Sequence, residues 1–181
     1  MGKSANGPVA VVRKVATVLT MALWQFVLDL IPASAANVAG VAAARMSRKQ
    51  LDAIALSFSS ADTEKLLAHL GTLLPEKKSW SSQLRIWGDE ETDDIQVGLD
   101  GPIVEDVQFR LNVGDLSLPL VGSICAFARR FDCLLATRDG AIIPPKREAV
   151  VRAIAKSRAA QFVRDPQGFL EEAIRLDKGE R

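Results

Sequence analysis

Apolar side chains recur along this chain at two different periods, and the period changes mark the elements. Trp24, Phe26, Leu28 and Leu30 alternate with Gln25, Val27, Asp29 and Ile31, the spacing of a largely buried strand that stops at Pro32. Ile95, Val97 and Leu99 repeat the alternation within 93–99. Val107, Phe109, Leu111 and Val113 repeat it again, with Gln108, Arg110 and Asn112 on the opposite side. Asp100-Gly101 between these two runs is a hairpin signal, because both residue types tolerate positive φ. Leu84 to Trp87 reads as a further short strand, so 84–113 is expected to form a three-stranded antiparallel meander with one wet face. Residues 132–137 and 141–143 read as two more strand pieces around the turn at Asp139-Gly140.

The helical period of 3.6 appears elsewhere. Ser47-Arg48-Lys49-Gln50 is a capping box, and Leu51, Ile54, Ala55 and Phe58 follow at helical spacing, predicting a helix over 48–58. Leu66, Leu67, Leu70, Leu73 and Leu74 mark a helix over 61–74, ended by Pro75. Residues 115–131 form a stripe through Leu120, Val121, Ile124, Cys125, Ala128 and Phe131, with Pro119 in the first turn. Residues 146–163 and a last segment opened by Asp165-Pro166 complete the helices. The Ala-rich stretch 33–45 is expected to be helical, with Gly40 as its weak point. The fold class expected is α+β: a twisted antiparallel sheet, built from the meander 84–113 and strands near 24–31 and 132–143, with helices packed on one face.

Residues 1–35 admit two readings. Lys3, Arg13 and Lys14 precede an apolar stretch from Val15 to Leu28, and Ala33-Ser34-Ala35 has the form of a signal-peptidase site. A cleaved leader would place the protein in the periplasm. Gln25 and Asp29 fit a strand better than a leader's apolar core. The favoured reading is therefore a cytoplasmic single α+β domain over 21–181, preceded by a poorly ordered extension over 1–20. The same two polar residues interrupt the stretch before it is long enough to span a membrane.

Composition removes many functions. The chain has 181 residues, 48% hydrophobic and 25% charged, with a net charge of +1, which is ordinary globular usage for one domain. It carries one histidine, His69, and two cysteines, Cys125 and Cys133. His69 is placed on the exposed side of its helix and the two cysteines in the core. No set of ligands at zinc spacing and no phosphate-binding glycine loop is present in the sequence. A balanced net charge without basic-aromatic interleaving argues against nucleic-acid binding. The expectation is a non-enzymatic protein with no cofactor and no metal site.

Charge distribution supplies the candidate site. From Ile86 to Phe109 there is no Lys or Arg, yet there are eight acids. Asp89, Glu90, Glu91, Asp93 and Asp94 form the densest run, and such a surface steers a basic partner. Trp80 and Trp87 flank the first meander strand and would serve as interface anchors. Arg110, mid-strand on the polar side, would line a shallow groove.

Several landmarks occur together: Leu23-Trp24-Gln25-Phe26 with Pro32, Ser79-Trp80-Ser81, Ile86-Trp87-Gly88-Asp89, Val107 to Asn112, Cys133-Leu134, Ile143-Pro144, and Phe162-Val163-Arg164-Asp165-Pro166-Gln167-Gly168-Phe169-Leu170 after Ser157 and Ala159. Over roughly 23–170 the chain resembles a family of small uncharacterised bacterial proteins. It departs from that pattern at Val27, where the family has an acid, and at Arg110-Leu111-Asn112-Val113-Gly114, where the family has Arg-x-Asp-x-Arg. In size and in the acidity of one face it is similar to bacterial toxin-immunity proteins, an analogy at the level of fold. Two functions follow as expectations. The first is an immunity-type partner that masks a basic toxin through the acidic surface. The second is a small-molecule or peptide-sensing domain with its groove near Arg110. An enzyme using carboxylates alone is the least favoured alternative.

Overall fold

The structure, a computed structural model, describes residues 22–38 and 40–177. The extension expected over 1–20 lies outside the described residues. The strands are β1 (Gln25–Pro32), β2 (Asn37–Val38), β3 (Val41–Ala42), β4 (Glu76–Lys77), β5 (Leu84–Gly88), β6 (Asp94–Asp100), β7 (Ile103–Asn112), β8 (Cys133–Thr137) and β9 (Ile142–Ile143). The helices are α1 (Arg48–Asp52), α2 (Ser60–Leu73), α3 (Leu118–Arg130), α4 (Arg147–Ala155), α5 (Arg158–Arg164) and α6 (Pro166–Asp177). Seven strands form one antiparallel sheet in the order β4-β5-β6-β7-β1-β8-β9, and β2 pairs with β3 apart from it. The fold is α+β, as the two periods imply.

The alternation along each strand sorts side chains onto two faces. Phe26, Leu28 and Leu30 of β1, Ile95 and Val97 of β6, and Val107, Phe109 and Leu111 of β7 turn to the first face. There they meet Leu66 and Leu70 of α2, Ile124, Cys125 and Phe127 of α3, and Val150 and Ile154 of α4, which together make the main core. β1 lies between β7 and β8, an interior strand that removal of residues up to Ala35 would delete. The hairpin turn falls where Asp100-Gly101 places it, with Gly101 at φ 58, and a bulge at Gly98/Leu99 shifts the register beside it.

Three predicted helices differ from what forms. The stretch 33–45 is not an α-helix: Ala33–Ala36 makes one 3₁₀ turn, the chain reverses near Gly40 (φ 82) to pair β2 with β3, and Arg45 bridges to Ala141. Alanine propensity is a small term, and this stretch has no apolar stripe to bury as a helix. The helix expected over 48–58 ends at Asp52. Its capping box forms as expected, Ser47 accepting from the Gln50 amide. Beyond Asp52, Leu56 is buried and Ile54 and Phe58 half-buried, while Ala55 and Ser57 are exposed. The burial has period two, and period two competes with the helical pairing of Leu51, Ile54, Ala55 and Phe58. The helix expected over 146–163 breaks into α4 and α5 because Ser157 caps the second piece, accepting from the Ala160 amide.

A smaller cluster of Ile31, Ala36, Met46, Leu51 and Ala136 packs the loop between β1 and α2 onto the second face at the β1/β8 end. The remainder of that second face carries the polar positions of β1, β6 and β7. Among the described residues no helix is long and apolar enough to cross a membrane.

Candidate functional site on the second sheet face

The site is a set of polar side chains that period-two alternation forces away from the main core. Register aligns them in rows across the sheet. Asp94 of β6 pairs with Arg110 of β7, which pairs with Val27 of β1. In the next row Gln96 pairs with Gln108, which pairs with Asp29.

Asp94 and Arg110 form a buried bidentate ion pair. Arg110 Nε donates to Asp94 Oδ1 at 2.8 Å and Nη2 donates to Oδ2 at 2.9 Å. The residues are 1% and 5% exposed. Burial pushes the Asp94 carboxyl above its ordinary range, and the Arg110 fork opposes that push without cancelling it. One row away, Gln108 Nε2 donates to Asp29 Oδ1 at 2.8 Å, and Arg48 Nη1 reaches Asp29 Oδ2 at 3.1 Å. Arg48 also pairs with Asp52 at 2.8 Å, so α1 is tied to the face. Two groups are left over. Gln108 Oε1 is buried with no hydrogen-bond partner, and so are Nε and Nη2 of Arg138, which follows β8. Burial pulls the Arg138 guanidinium below its ordinary range, with Asp29 as the main charge opposing that.

The structure separates the residues singled out by sequence. Of the acidic run, Asp89 and Glu91 are exposed on the β5–β6 connection, and Glu90 pairs with Lys77 at 3.3 Å. Asp93 turns inward, accepting the Asn112 amide at 2.7 Å, and burial raises its carboxyl. Asp94 is not a surface acid: the strand pleat puts it under Arg110. Gln25 anchors the loop, its Nε2 donating to the carbonyls of Glu90 and Thr92 at 3.1 Å. Trp80 is 81% exposed between β4 and β5, in a shallow open depression with Lys77 and Lys78. Trp87 is 1% exposed and belongs to the main core, so it anchors no surface contact. Arg110 and Asp94 meet; the two tryptophans join neither each other nor Arg110.

Asp29, Gln108, Arg48 and Arg138 were missed. Asp29 and Gln108 had a signal, a polar residue mid-strand on the alternating face. Arg48 and Arg138 lie outside the alternating strands and had none. His69 is corrected as well. It is half-buried, its ring 5.5 Å from Phe127 and 6.3 Å from Phe131, because α2 packs across α3 on this side. Cys125 and Cys133 are free and buried, and burial pushes the Cys133 thiol up to about 12. Among the described residues no group of three or more His, Cys, Asp or Glu side chains is placed to hold a metal ion. The chain matches no protein-family model, no curated protein and no solved structure.

Proposed function

We propose that this chain is a non-catalytic binding domain, a small-molecule or peptide sensor whose working surface is the second sheet face around Arg110. The observation that carries the reading is the buried Asp94–Arg110 pair lying one sheet row from a second polar group, Asp29 with Gln108 and Arg48. Burying an ion pair is weak support for stability, since apolar residues of similar volume serve as well or better. A sheet face that concentrates ion pairs and amides at its centre is suited to recognition through placed polar groups. The test is a thermal-shift screen of metabolites and short peptides against the full chain and Gln108→Leu. Compounds that raise the melting temperature of the first and not the second support the reading. A screen without such compounds overturns it.

A second reading rests on the acidic loop. Asp89 and Glu91 are exposed, and Gln25 holds the loop's backbone in place. Such a fixed acidic tip suits a basic protein partner, the immunity-type role suggested by analogy. Charge reversal at Asp89 and Glu91 would then slow association with that partner and flatten its salt dependence. Association indifferent to both substitutions would remove the loop from consideration.

A further inference from the structure

We infer that the open depression at Trp80 is a second binding site, one that takes an uncharged saccharide with a sugar ring laid on the indole. The depression lies on the connection between β4, the edge strand of the sheet, and β5. It shares no residue with the polar groups around Arg110, so it stands or falls separately from them. Trp80 is 81% exposed, more than any other large apolar side chain among the described residues. Tryptophan carries the largest apolar surface of any side chain, and most of it is ordinarily covered.

A loose loop does not account for this exposure, because the connection is tied on both sides of the ring. The Ser81 amide donates to Ser79 Oγ and the Gln83 amide to Ser81 Oγ, each at 3.2 Å. The Leu84 amide donates to the Ser81 carbonyl at 3.3 Å, and the Leu99 amide of β6 to the Gln83 carbonyl at 2.8 Å. At the base, Arg85 clamps Glu76 across the β4–β5 pair with two bonds of 2.7 and 2.8 Å. Ordered chain therefore holds the indole out in the solvent, and a flat apolar platform is in place before any ligand arrives.

The rest of the depression selects the ligand. It encloses about 530 Å³ and is polar apart from Trp80 and Leu84, so it has room for a small ligand but no apolar enclosure for an oily one. Its charges are largely spoken for: Arg85 holds Glu76, and Lys77 holds Glu90 at 3.3 Å. An anion would compete with those carboxylates and meet the exposed Asp89 and Glu91 of the β5–β6 connection. A nucleobase would stack on the indole, but its strand brings phosphates to the same acids. A cation would meet Lys77, Lys78 and Arg85. What is left to offer is the indole face, the hydroxyls of Ser79, Ser81 and Ser82, and the Lys78 ammonium. The Ser79 and Ser81 oxygens each accept an amide, and each keeps its own proton to give. A pyranose matches this set. One of its faces is an array of C–H groups, which the negative face of an indole attracts. Its rim carries hydroxyls that accept from O–H and N–H donors.

The test is isothermal calorimetry of the full chain against neutral oligosaccharides of glucose, N-acetylglucosamine, xylose and mannose, with oligothymidylate as the anionic comparison. At least one oligosaccharide is expected to bind with a Kd of about 1 mM or tighter, and Trp80→Ala is expected to weaken it roughly tenfold or more. Trp80→Phe, which keeps a smaller ring face, is expected to fall between the two. Saturating sugar is expected to shift the tryptophan emission of the parent chain and to leave that of Trp80→Ala unchanged. The side chain is exposed, so both variants are expected to melt with the parent, and lost binding then reports the site and not the fold. Absence of binding by every oligosaccharide overturns the inference. So does sugar binding indifferent to Trp80→Ala. Oligothymidylate that binds more tightly than the sugars and loses its binding with Trp80 overturns the saccharide assignment and gives the platform to a nucleobase.

Discussion

The Asp94–Arg110 pair offers the sharpest check on the energetics of the second face. Its side chains are 0% and 5% exposed, and both hydrogen bonds are short. Arg110→Met leaves a buried carboxylate without its fork, and Asp94→Leu leaves a buried guanidinium without its acceptor. Breaking a buried pair from one side costs about 3–5 kcal/mol. A domain of this size loses about 2–4 °C of melting temperature per kcal/mol, so each single variant is expected to melt roughly 6–20 °C lower. The double variant Asp94→Leu/Arg110→Met buries no charge and is expected to cost far less than the sum. Urea unfolding followed by tryptophan fluorescence measures all four corners of the cycle, with Trp87 in the core as the reporter. Single costs below about 1 kcal/mol, or strict additivity, would refute the reasoning, since exposed pairs are worth about that little.

The same pair predicts a direction with pH. Burial raises the Asp94 carboxyl above its value of 3.8 in the unfolded chain. The native state therefore holds this proton more tightly than the unfolded state does. The resulting stabilisation is fully present below the unfolded value and is lost as pH rises through the folded one. Relative to Asp94→Asn, the parent chain is expected to gain stability on acidification across that window. A difference that shrinks on acidification would show the carboxylate to be favoured over the acid in the fold.

Three further outcomes test the surrounding structure. Gly140→Ala is expected to cost well over Gly101→Ala by thermal unfolding: at Gly140 (φ 89) a Cβ would lie 2.1 Å from the Met46 carbonyl oxygen, whereas Gly101 (φ 58) faces open space and carries only the left-handed penalty of about 1–2 kcal/mol. Ser157→Ala is expected to lower stability by about 1 kcal/mol in urea, because the cap that separates α4 from α5 is lost. Cys125 and Cys133 are expected to resist a thiol reagent at pH 8 in the native chain and to react fully in guanidinium, since both are buried and burial raises both thiols.

The fold was legible where one period dominated. Phe26, Leu28 and Leu30, like Val107, Phe109 and Leu111, could satisfy only a strand with one face in the core. The stripe of Leu66 and Leu70 on α2 could satisfy only a helix. Legibility failed where two periods shared the same residues. Ile54 and Phe58 fit i, i+4, while Ile54, Leu56 and Phe58 fit i, i+2, i+4, and neither period is realised as one face: Ile54 packs with the smaller second-face cluster, Leu56 and Phe58 with the main core. Ser157 was ambiguous in the same way, an acceptable residue on an apolar face and a strong cap. The cap won, and α5 leaves the line of α4 to pack beside the 3₁₀ turn Val113–Asp115 that follows β7.

The candidate site was half legible for a related reason. Alternation tells which residues share a face, so Arg110, Gln108 and Asp29 were together in principle once β1 was known to lie beside β7. Nothing in the local sequence states that neighbour, because 83 residues of chain separate Val27 from Arg110 while their Cα atoms are paired. The acidic run misled for the same reason. Read along the chain, Asp93 and Asp94 continue Asp89, Glu90 and Glu91. Read across the sheet, Asp94 belongs to Arg110 and Asp93 to the Asn112 amide. A charge run is a surface only if its residues stay in a loop. Here the strand begins at Asp94, and the pleat turns a steering charge into half of a buried pair.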